Sequence, residues 1–479
     1  MKRSKNKSYI IYPALALMLA SGCKSVRSTV LEEPLKVPAT FPENTIAQAA
    51  QSSSWKEYYL DKDLAVLVET ALTNNQDIRM GLQRILVAEA QSIRARAANL
   101  PTLNAAASAA ADKYGDYTMT GVGNYDTNLS QNIDEDQKVT NPALDFFLGL
   151  RSSWELDIWG KIKAQRKSAK ANYMASVEAQ KWFRTQVVAQ VAERYYELMA
   201  LDNQLEIIGQ NIALQTKAVE IAEAQMAGGR TTILAVKQFQ AQVQHSESIA
   251  AETRQQIRAT ENELNLLLGR FPQEVQRKGN ILSYTPGAYF QLGNPEAVLA
   301  GRADIRQAEL ELAASKADIV AAKRAFFPSL SLNAYAGYNA FKAPLLFSPG
   351  SLAAGILGGL TGPVFNQKEL KTRFAIADAA QQSAFFNYQK KVIQGYTEIH
   401  TQMQSIDQFR QAYEQKQGEV STLNDAISAA NELYVGGYIN YLEVVTVQRN
   451  ILEAQIEQIR LKHKLIDANI ALYRALGGE

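Results

Sequence analysis

Two sets of residues recur along the 479-residue chain at fixed offsets, and this internal repetition limits the fold more than any other feature. Asp77-Ile78-Arg79 and Pro101-Thr102-Leu103 return as Asp304-Ile305-Arg306 and Pro328-Ser329-Leu330, both at an offset of 227 in the numbering. Gly228-Gly229, Leu234, Val236, Gln240 and Leu268-Gly269 return as Gly436-Gly437, Leu442, Val444, Gln448 and Leu476-Gly477, all at an offset of 208. Paired anchors that keep one spacing from the double glycine to the closing Leu-Gly identify a tandem duplication. The fall from 227 to 208 places an insertion in the first half, near Asp112 to Asn141. That stretch carries Asp112, Asp116, Asp126, Asp134, Glu135 and Asp136 among glycine, asparagine and threonine, and reads as a long solvated loop.

Between Lys161 and Ala227 there is no proline and one interior glycine, Gly209, and alanine, glutamine, glutamate and lysine dominate, which is helix composition. Val187, Val191, Leu198, Leu201, Leu205, Ile208 and Ile212 follow a 4-3 spacing broken only at Arg194, and Val392, Tyr396, Ile399, Met403 and Ile406 repeat it. Such a period is a coiled-coil seam. A helix over the whole of that stretch would reach about 100 Å at ~1.5 Å per residue, far beyond a globular domain. Helical pattern resumes after each double glycine, so Gly228-Gly229 and Gly436-Gly437 mark hairpins between antiparallel helices, with glycine supplying the left-handed cap.

Upstream of each long helix the period changes to two. Phe146, Leu148, Leu150, Trp154 and Leu156 alternate with Gly149, Arg151, Ser153, Glu155 and Asp157, and Leu330, Leu332, Ala334 and Ala336 alternate with Ser331, Asn333, Tyr335 and Gly337. Pro101 and Pro328 sit where helix gives way to strand. Each repeat then reads as helix, strand, loop, strand, long helix, glycine tip and return helix. The expected segments are a first repeat over 63–270 with strands about 102–112 and 145–158, a linker over 271–300, and a second repeat over 301–479 with strands about 329–340 and 352–364. Strands of ~10 residues with apolar-out, polar-in alternation suit a membrane barrel, but four cannot close one, since the smallest barrels have eight. Open edges in lipid would leave backbone groups unpaired, so oligomerisation is expected. Eight strands fill their own interior with side chains, whereas twelve from a trimer leave a lumen.

At the N-terminus Lys2, Arg3, Lys5 and Lys7 precede an apolar run from Tyr9 to Ala20, then Ser21-Gly22-Cys23, which reads as a signal peptide over 1–22. That run falls well short of the ~20 residues a helix needs to cross a bilayer. Leu19-Ala20-Ser21-Gly22-Cys23 resembles a bacterial lipobox, with Ala20 where leucine is commonest, so Cys23 is the expected lipidated first residue of a mature N-terminal segment over 23–62. Lys24 in second place resembles lipoproteins sent on to the outer membrane, where several acyl chains would give a stable anchor. Cys23 is the only cysteine, which excludes an intramolecular disulfide and a thiolate metal cluster. A net charge of +2 with dispersed basic residues gives no nucleic-acid surface. His245, His400 and His463 have no ligand spacing, and no Ser/His/Asp set, phosphate loop or dinucleotide fingerprint occurs, so no enzyme, metal or cofactor is expected. Asp77, Arg79, Asp304 and Arg306 begin helices at equivalent places, which capping and packing explain better than a catalytic quartet does.

These residues resemble the TolC superfamily of outer membrane efflux proteins, most closely its lipoprotein branch (NodT-type) serving resistance-nodulation-division pumps. Trp55, Asp61, Leu64, Leu67, Ala71-Leu72 and Asn75 look like that branch's opening motif. Arg302, Asp304-Ile305-Arg306, Ala308-Glu309, Leu312, Ala317, Ile319, Ala322, Ala325 and Phe326-Phe327-Pro328 look like its most recognisable block, and Ser153 to Gly160 resembles the strand entering the first long helix. The resemblance implies an α+β membrane protein: long antiparallel coiled-coil helices form a periplasmic α-barrel, and four strands per chain contribute to a trimeric twelve-stranded outer-membrane β-barrel. It further implies a passive exit duct whose tips meet a periplasmic adaptor (membrane fusion) protein and which is served by an inner-membrane pump. Gly228, Gly229, Arg230, Gly436, Gly437 and Tyr438 would form those tips. The family's usual proline is Ala303 here. Of two acids often found past the tip, Glu443 matches the first and Thr446 replaces the second, so Glu443 is either a gate residue or a solvated glutamate on a helix face. A type I secretion duct is an alternative within the same architecture. A non-channel coiled-coil lipoprotein would explain the helices and Cys23 but not the period-two segments between them.

Overall fold

The structure is a computed structural model describing residues 28–33, 35–41, 55–59, 61–284, 294–363 and 367–478; the signal segment and Cys23 lie outside these described residues. The chain divides into two compact units, one holding Ala88–Tyr173 and Glu311–Phe385, the other Glu33–Val87, Met174–Leu310 and Phe386–Glu479.

The first unit holds a four-stranded antiparallel meander in the order β1 (Thr102–Asp112), β2 (Ala143–Leu156), β3 (Ser329–Ala340) and β4 (Leu352–Thr361). The register places Asn104, Arg151, Tyr335 and Gly355 in one row, and Ala106, Gly149, Gly337 and Ala353 in the next. These rows share a face with Ser108, Ser153, Asn333 and Asn339, while Leu148, Leu150, Leu332, Ala336, Ile356 and Leu360 fall on the other, as period-two alternation requires. Phe147 and Leu357, the latter opposite Asn333, are exceptions, large apolar side chains on the polar face. β2 stops at Leu156 and not at 158, because Asp157 turns its carboxylate onto the start of the next helix, accepting from the Ile162 and Lys163 amides at 2.9 and 2.7 Å. That satisfies two of the amides a helix start leaves unpaired. β4 stops at Thr361, before Gly362-Pro363, since proline has no N–H for the ladder.

The loop expected over 112–141 contains a helix, Met119–Leu129. Thr118 caps it by accepting from the Gly121 amide at 3.1 Å, and it buries no residue, so it lacked the apolar stripe that marks a helix in sequence. Numbering helices in chain order, it is α4, after α1 (Trp55–Tyr58), α2 (Lys62–Asn74) and α3 (Gln76–Ala97). The remainder are α5 (Lys161–Ala227), α6 (Ile233–Leu267), α7 (Pro295–Gly301), α8 (Ala303–Arg324), α9 (Gln367–Gly436) and α10 (Tyr441–Ala475). Among the described residues no helix is long and apolar enough to cross a membrane.

In the helical unit the 4-3 seam faces the core: Val187, Val191, Leu198 and Ile208 on α5, and Ile399, Met403 and Ile406 on α9, are buried. Arg194, which interrupts the seam, reaches Glu263 of α6 at 3.1 Å and pairs with Glu197, so the break in the apolar pattern is a cross-helix ion pair. The two repeats also share a tie that connects each helix start to a return helix. Asn75 Nδ2 donates to the Leu267 carbonyl at 2.9 Å, and Arg302 Nη1 donates to the Ala475 carbonyl at 2.7 Å. The donors Asn75 and Arg302 are related by the first offset of the repeat, and the acceptors Leu267 and Ala475 by the second. Asn75 also accepts from the Asp77 and Ile78 amides, at 2.9 and 3.0 Å, so Asn75 and not Asp77 caps α3. Asp304 is instead buried against Arg302, with two contacts of 3.0 Å, while Arg79 reaches the Thr73 carbonyl and Asn74.

In the last third of α10, Asp467 lies beside His463, 3.4 Å from carboxylate oxygen to Nδ1, with Glu193, Arg194 and Glu197 facing them from α5 and Lys464 and Arg474 on α10 itself. Desolvation, then the fields of Glu193 and Glu197, push the Asp467 carboxyl up to about 7 from its usual 3.8. A raised carboxylate pKa penalises the fold once the group must ionise. The penalty grows as pH rises from about 4 to about 7 and is constant above that window. His463, depressed by burial, works in the opposite direction, losing stability as pH falls. Stability curves of wild type and Asp467→Asn, measured by thermal unfolding in detergent between pH 4 and 8, should therefore converge at low pH and separate toward pH 7, with the variant the more stable. Parallel curves would refute the assignment.

Candidate functional site

Each long helix ends in the same turn. Beyond α5 the Gly229 amide donates to the Met226 carbonyl at 3.0 Å and the Arg230 amide to the Gln225 carbonyl at 2.8 Å. Beyond the last turn of α9 the Gly437 amide donates to Tyr434 at 3.1 Å and the Tyr438 amide to Leu433 at 2.9 Å. This is the Schellman pattern, which requires the left-handed conformation at one residue, and Gly229 and Gly437 adopt it with φ of +72° and +79°. The preceding glycines differ. A Cβ on Gly228 would meet only ordinary contacts, whereas one on Gly436 would lie 2.9 Å from the Tyr438 ring. Gly229→Ala and Gly437→Ala should each lower stability by about 1–2 kcal/mol, the cost of forcing a Cβ into that conformation, and Gly228→Ala should not. Thermal unfolding of the single variants measures the difference, and equal loss at Gly228 would contradict the turn geometry.

The return helices start differently. Asn440 caps α10, its side chain accepting from the Leu442 amide at 2.8 Å and donating to Glu443 Oε1 at 3.1 Å, whereas Thr232 before α6 makes no side-chain cap bond. Glu443 is thus a first-turn acid, favoured by the positive end of the helix dipole, on an exposed face. Thr446, one turn on and also exposed, bonds back to the Leu442 carbonyl at 2.7 Å. Between the two hairpins, Ala218, Ala222, Val236, Phe239, Ala430, Tyr434 and Val444 form one buried cluster, with the Phe239 and Tyr434 rings 6.1 Å apart. Both tips are therefore held by a common core, and Val236 and Val444 occupy repeat-equivalent places in it. Their neighbours Leu234 and Leu442 are each 55% exposed, and Tyr438 is 82% exposed. Symmetric leucines without cover at both tips were not singled out from sequence as surface residues, although their place in the repeat was visible.

Two stretches of the chain, residues 67–270 and 294–478, match one family model, described as outer membrane efflux protein. The chain is 26% identical over 467 residues to the probable outer membrane lipoprotein SilC of Salmonella typhimurium, covering 96% of this chain and 97% of that protein. It is likewise 26% identical over 473 residues to the cation efflux system protein CusC of Escherichia coli (strain K12), covering 98% and 99%. A crystal structure of CusC, described in terms of transmembrane channel formation, superposes with a TM-score of 0.81 at 26% identity, over 94% of this chain and 99% of that one. Matched twice by the same model over most of its length and end to end by these relatives, the chain belongs to the outer membrane efflux protein family, as an outer-membrane channel of an efflux system.

Proposed function

We propose that three copies of the chain close into one exit duct, lipid-anchored at Cys23, which receives substrates from a periplasmic adaptor and an inner-membrane pump of the resistance-nodulation-division type and conducts them passively to the exterior. The meander carries this reading. Among the described residues β1 and β4 each pair on one side only, and the apolar face leaves Leu103, Leu352, Ile356 and Leu360 exposed. Unpaired backbone cannot stay in hydrocarbon. A single chain therefore cannot sit in a membrane with this sheet, and three sheets joined edge to edge give twelve strands around a lumen lined by the polar face. Relatives that are cation efflux and pyoverdine export proteins of the outer membrane support the efflux role over a secretion duct.

The adaptor meets the two hairpin tips. Exposed Leu234, Leu442 and Tyr438 and the neighbouring Arg230 offer apolar surface beside a cation, and Gly228, Gly229, Gly436 and Gly437 set the turns that present it. Glu443 and Thr446 share one exposed face of α10, where three Glu443 carboxylates near a trimer axis would favour cations. Planar-bilayer recordings with the purified full chain test the duct: discrete conductance steps support it, and their absence at any protein concentration removes it. Arg230→Glu with Tyr438→Glu should abolish export in cells while trimers still assemble, and unaltered export would remove the adaptor role.

A further inference from the structure

The polar face of the sheet carries one arrangement that a plain conduit does not need. The Arg151 guanidinium carbon lies 4.6 Å from the Phe147 ring centroid, and that ring meets Tyr335 edge-on with centroids 6.1 Å apart. Both rings lie down on the sheet because glycine leaves room: a Cβ on Gly149 would be 3.0 Å from Phe147 Cζ, and one on Gly355 would be 2.5 Å from Tyr335 Cε1. The result is an aromatic shelf with a cation laid across part of it. Phe147 is buried in this stack, while Tyr335 and Arg151 remain exposed on the polar face.

The charge inventory of the face leaves Arg151 uncompensated. Of the acids, Asp112 ends β1 eight positions beyond Asn104, the residue opposite Arg151. Asp145 is held by Asn339 at 2.6 Å and Glu155 by Lys161 at 2.6 Å, and among the described residues no carboxylate comes within ion-pairing distance of Arg151. Asp145 and Glu155 stand six and four residues away along the same strand, roughly 20 and 13 Å at ~3.3 Å per residue. Both exceed the ~8 Å over which physiological salt screens charges. A guanidinium resting on an aromatic ring keeps N–H groups at its edge to donate, in the fork geometry that fits a carboxylate, and the Tyr335 ring beside it offers a face for stacking.

We propose that Arg151, Phe147 and Tyr335 form a binding station for organic anions that combine a carboxylate with an aromatic ring, repeated three times around the lumen. The proposal rests on the trimeric duct above. The carboxylate is taken by Arg151 and the ring by the shelf, so passing anions of this class dwell there and the lumen at this level favours anions.

The test is planar-bilayer recording from the full-length wild type, Arg151→Gln and Phe147→Leu, with benzoate and acetate as probes under a potassium chloride gradient. Wild type should show reversible current block by benzoate at concentrations where acetate has none. Arg151→Gln should raise the half-blocking concentration about tenfold, as loss of one charge-assisted contact would, and shift the reversal potential toward cations. Phe147→Leu should keep the reversal potential while losing the preference for benzoate over acetate. Conducting channels in which neither variant alters block or reversal potential overturn the station alone. A wild type that never conducts overturns the duct and the station with it.

Discussion

Replacing Arg302 by alanine is expected to destabilise the helical unit by about 3–5 kcal/mol, the range for removing one partner of a buried ion pair. Arg302 is 0% exposed and every part of its guanidinium is engaged. Nε and Nη2 hold Asp304 at 3.0 Å each, Nη2 also reaches Glu398 at 2.9 Å, Nη1 holds the Ala475 carbonyl at 2.7 Å, and the Trp182 ring centroid lies 4.9 Å away. Glu398 is partly open to solvent and can rehydrate, but Asp304 is not. Most of the cost thus comes from a buried carboxylate left without its counter-charge, not from the contacts themselves. It follows that Arg302→Met combined with Asp304→Asn should be less damaging than Arg302→Met alone, and that Arg302→Lys should restore only part of the loss, since an ammonium lacks the planar fork. Urea unfolding of the detergent-solubilised proteins checks the order. A double variant worse than the single one would mean that the network matters for packing and not for charge balance.

Leu150→Arg is expected to have the second large effect. Leu150 is opposite Ala105 and Ala336 on the apolar face, in the middle of β2, where the duct would meet the centre of the bilayer. An arginine on the lipid face at the midplane costs about 2–4 kcal/mol, and a trimer bears that cost three times. Ser153→Arg, further along β2 and facing the polar side, should be tolerated, because that side chain would enter water. The readout is the amount of trimer in the outer-membrane fraction. Normal assembly of Leu150→Arg with failure of Ser153→Arg would invert the assignment of the two faces.

Most of this architecture was legible because it is periodic. A stretch without proline and with a 4-3 apolar spacing leaves little but a long coiled-coil helix over Lys161–Ala227, and alternation of two reveals the strands. Several features that were not legible share a cause: one residue's role was set by a partner distant in sequence. Arg194 reads as a flaw in the seam until Glu263, on the next helix, is brought to it. The burial of Arg302 is not visible in the sequence, because it is decided by Asp304, Glu398 and Ala475 together. Phe147 looks like noise in an alternating strand, since Tyr335, which its ring meets edge-on, is brought beside it only by the pairing of β2 with β3. Helix Met119–Leu129 was hidden by glycine and asparagine and by the lack of any buried face. At the tips the turns were legible from glycine pairs, whereas the exposure of Leu234 and Leu442 needed the packed core behind them to be seen.

Joining of β4 from one chain to β1 of the next is the step on which the duct depends, and cysteine cross-linking measures it most directly. Single cysteines scanned along β1, each paired with one scanned along β4, in a chain whose only native cysteine is Cys23, should yield disulfide-linked dimers and a covalently closed trimer on oxidation in membranes. The trimer should form in one register only, with pairs shifted by two positions linking poorly, since disulfide formation requires Cα atoms within about 7 Å. Cross-links absent from every register, or species ending at the dimer, would contradict a barrel closed by three sheets.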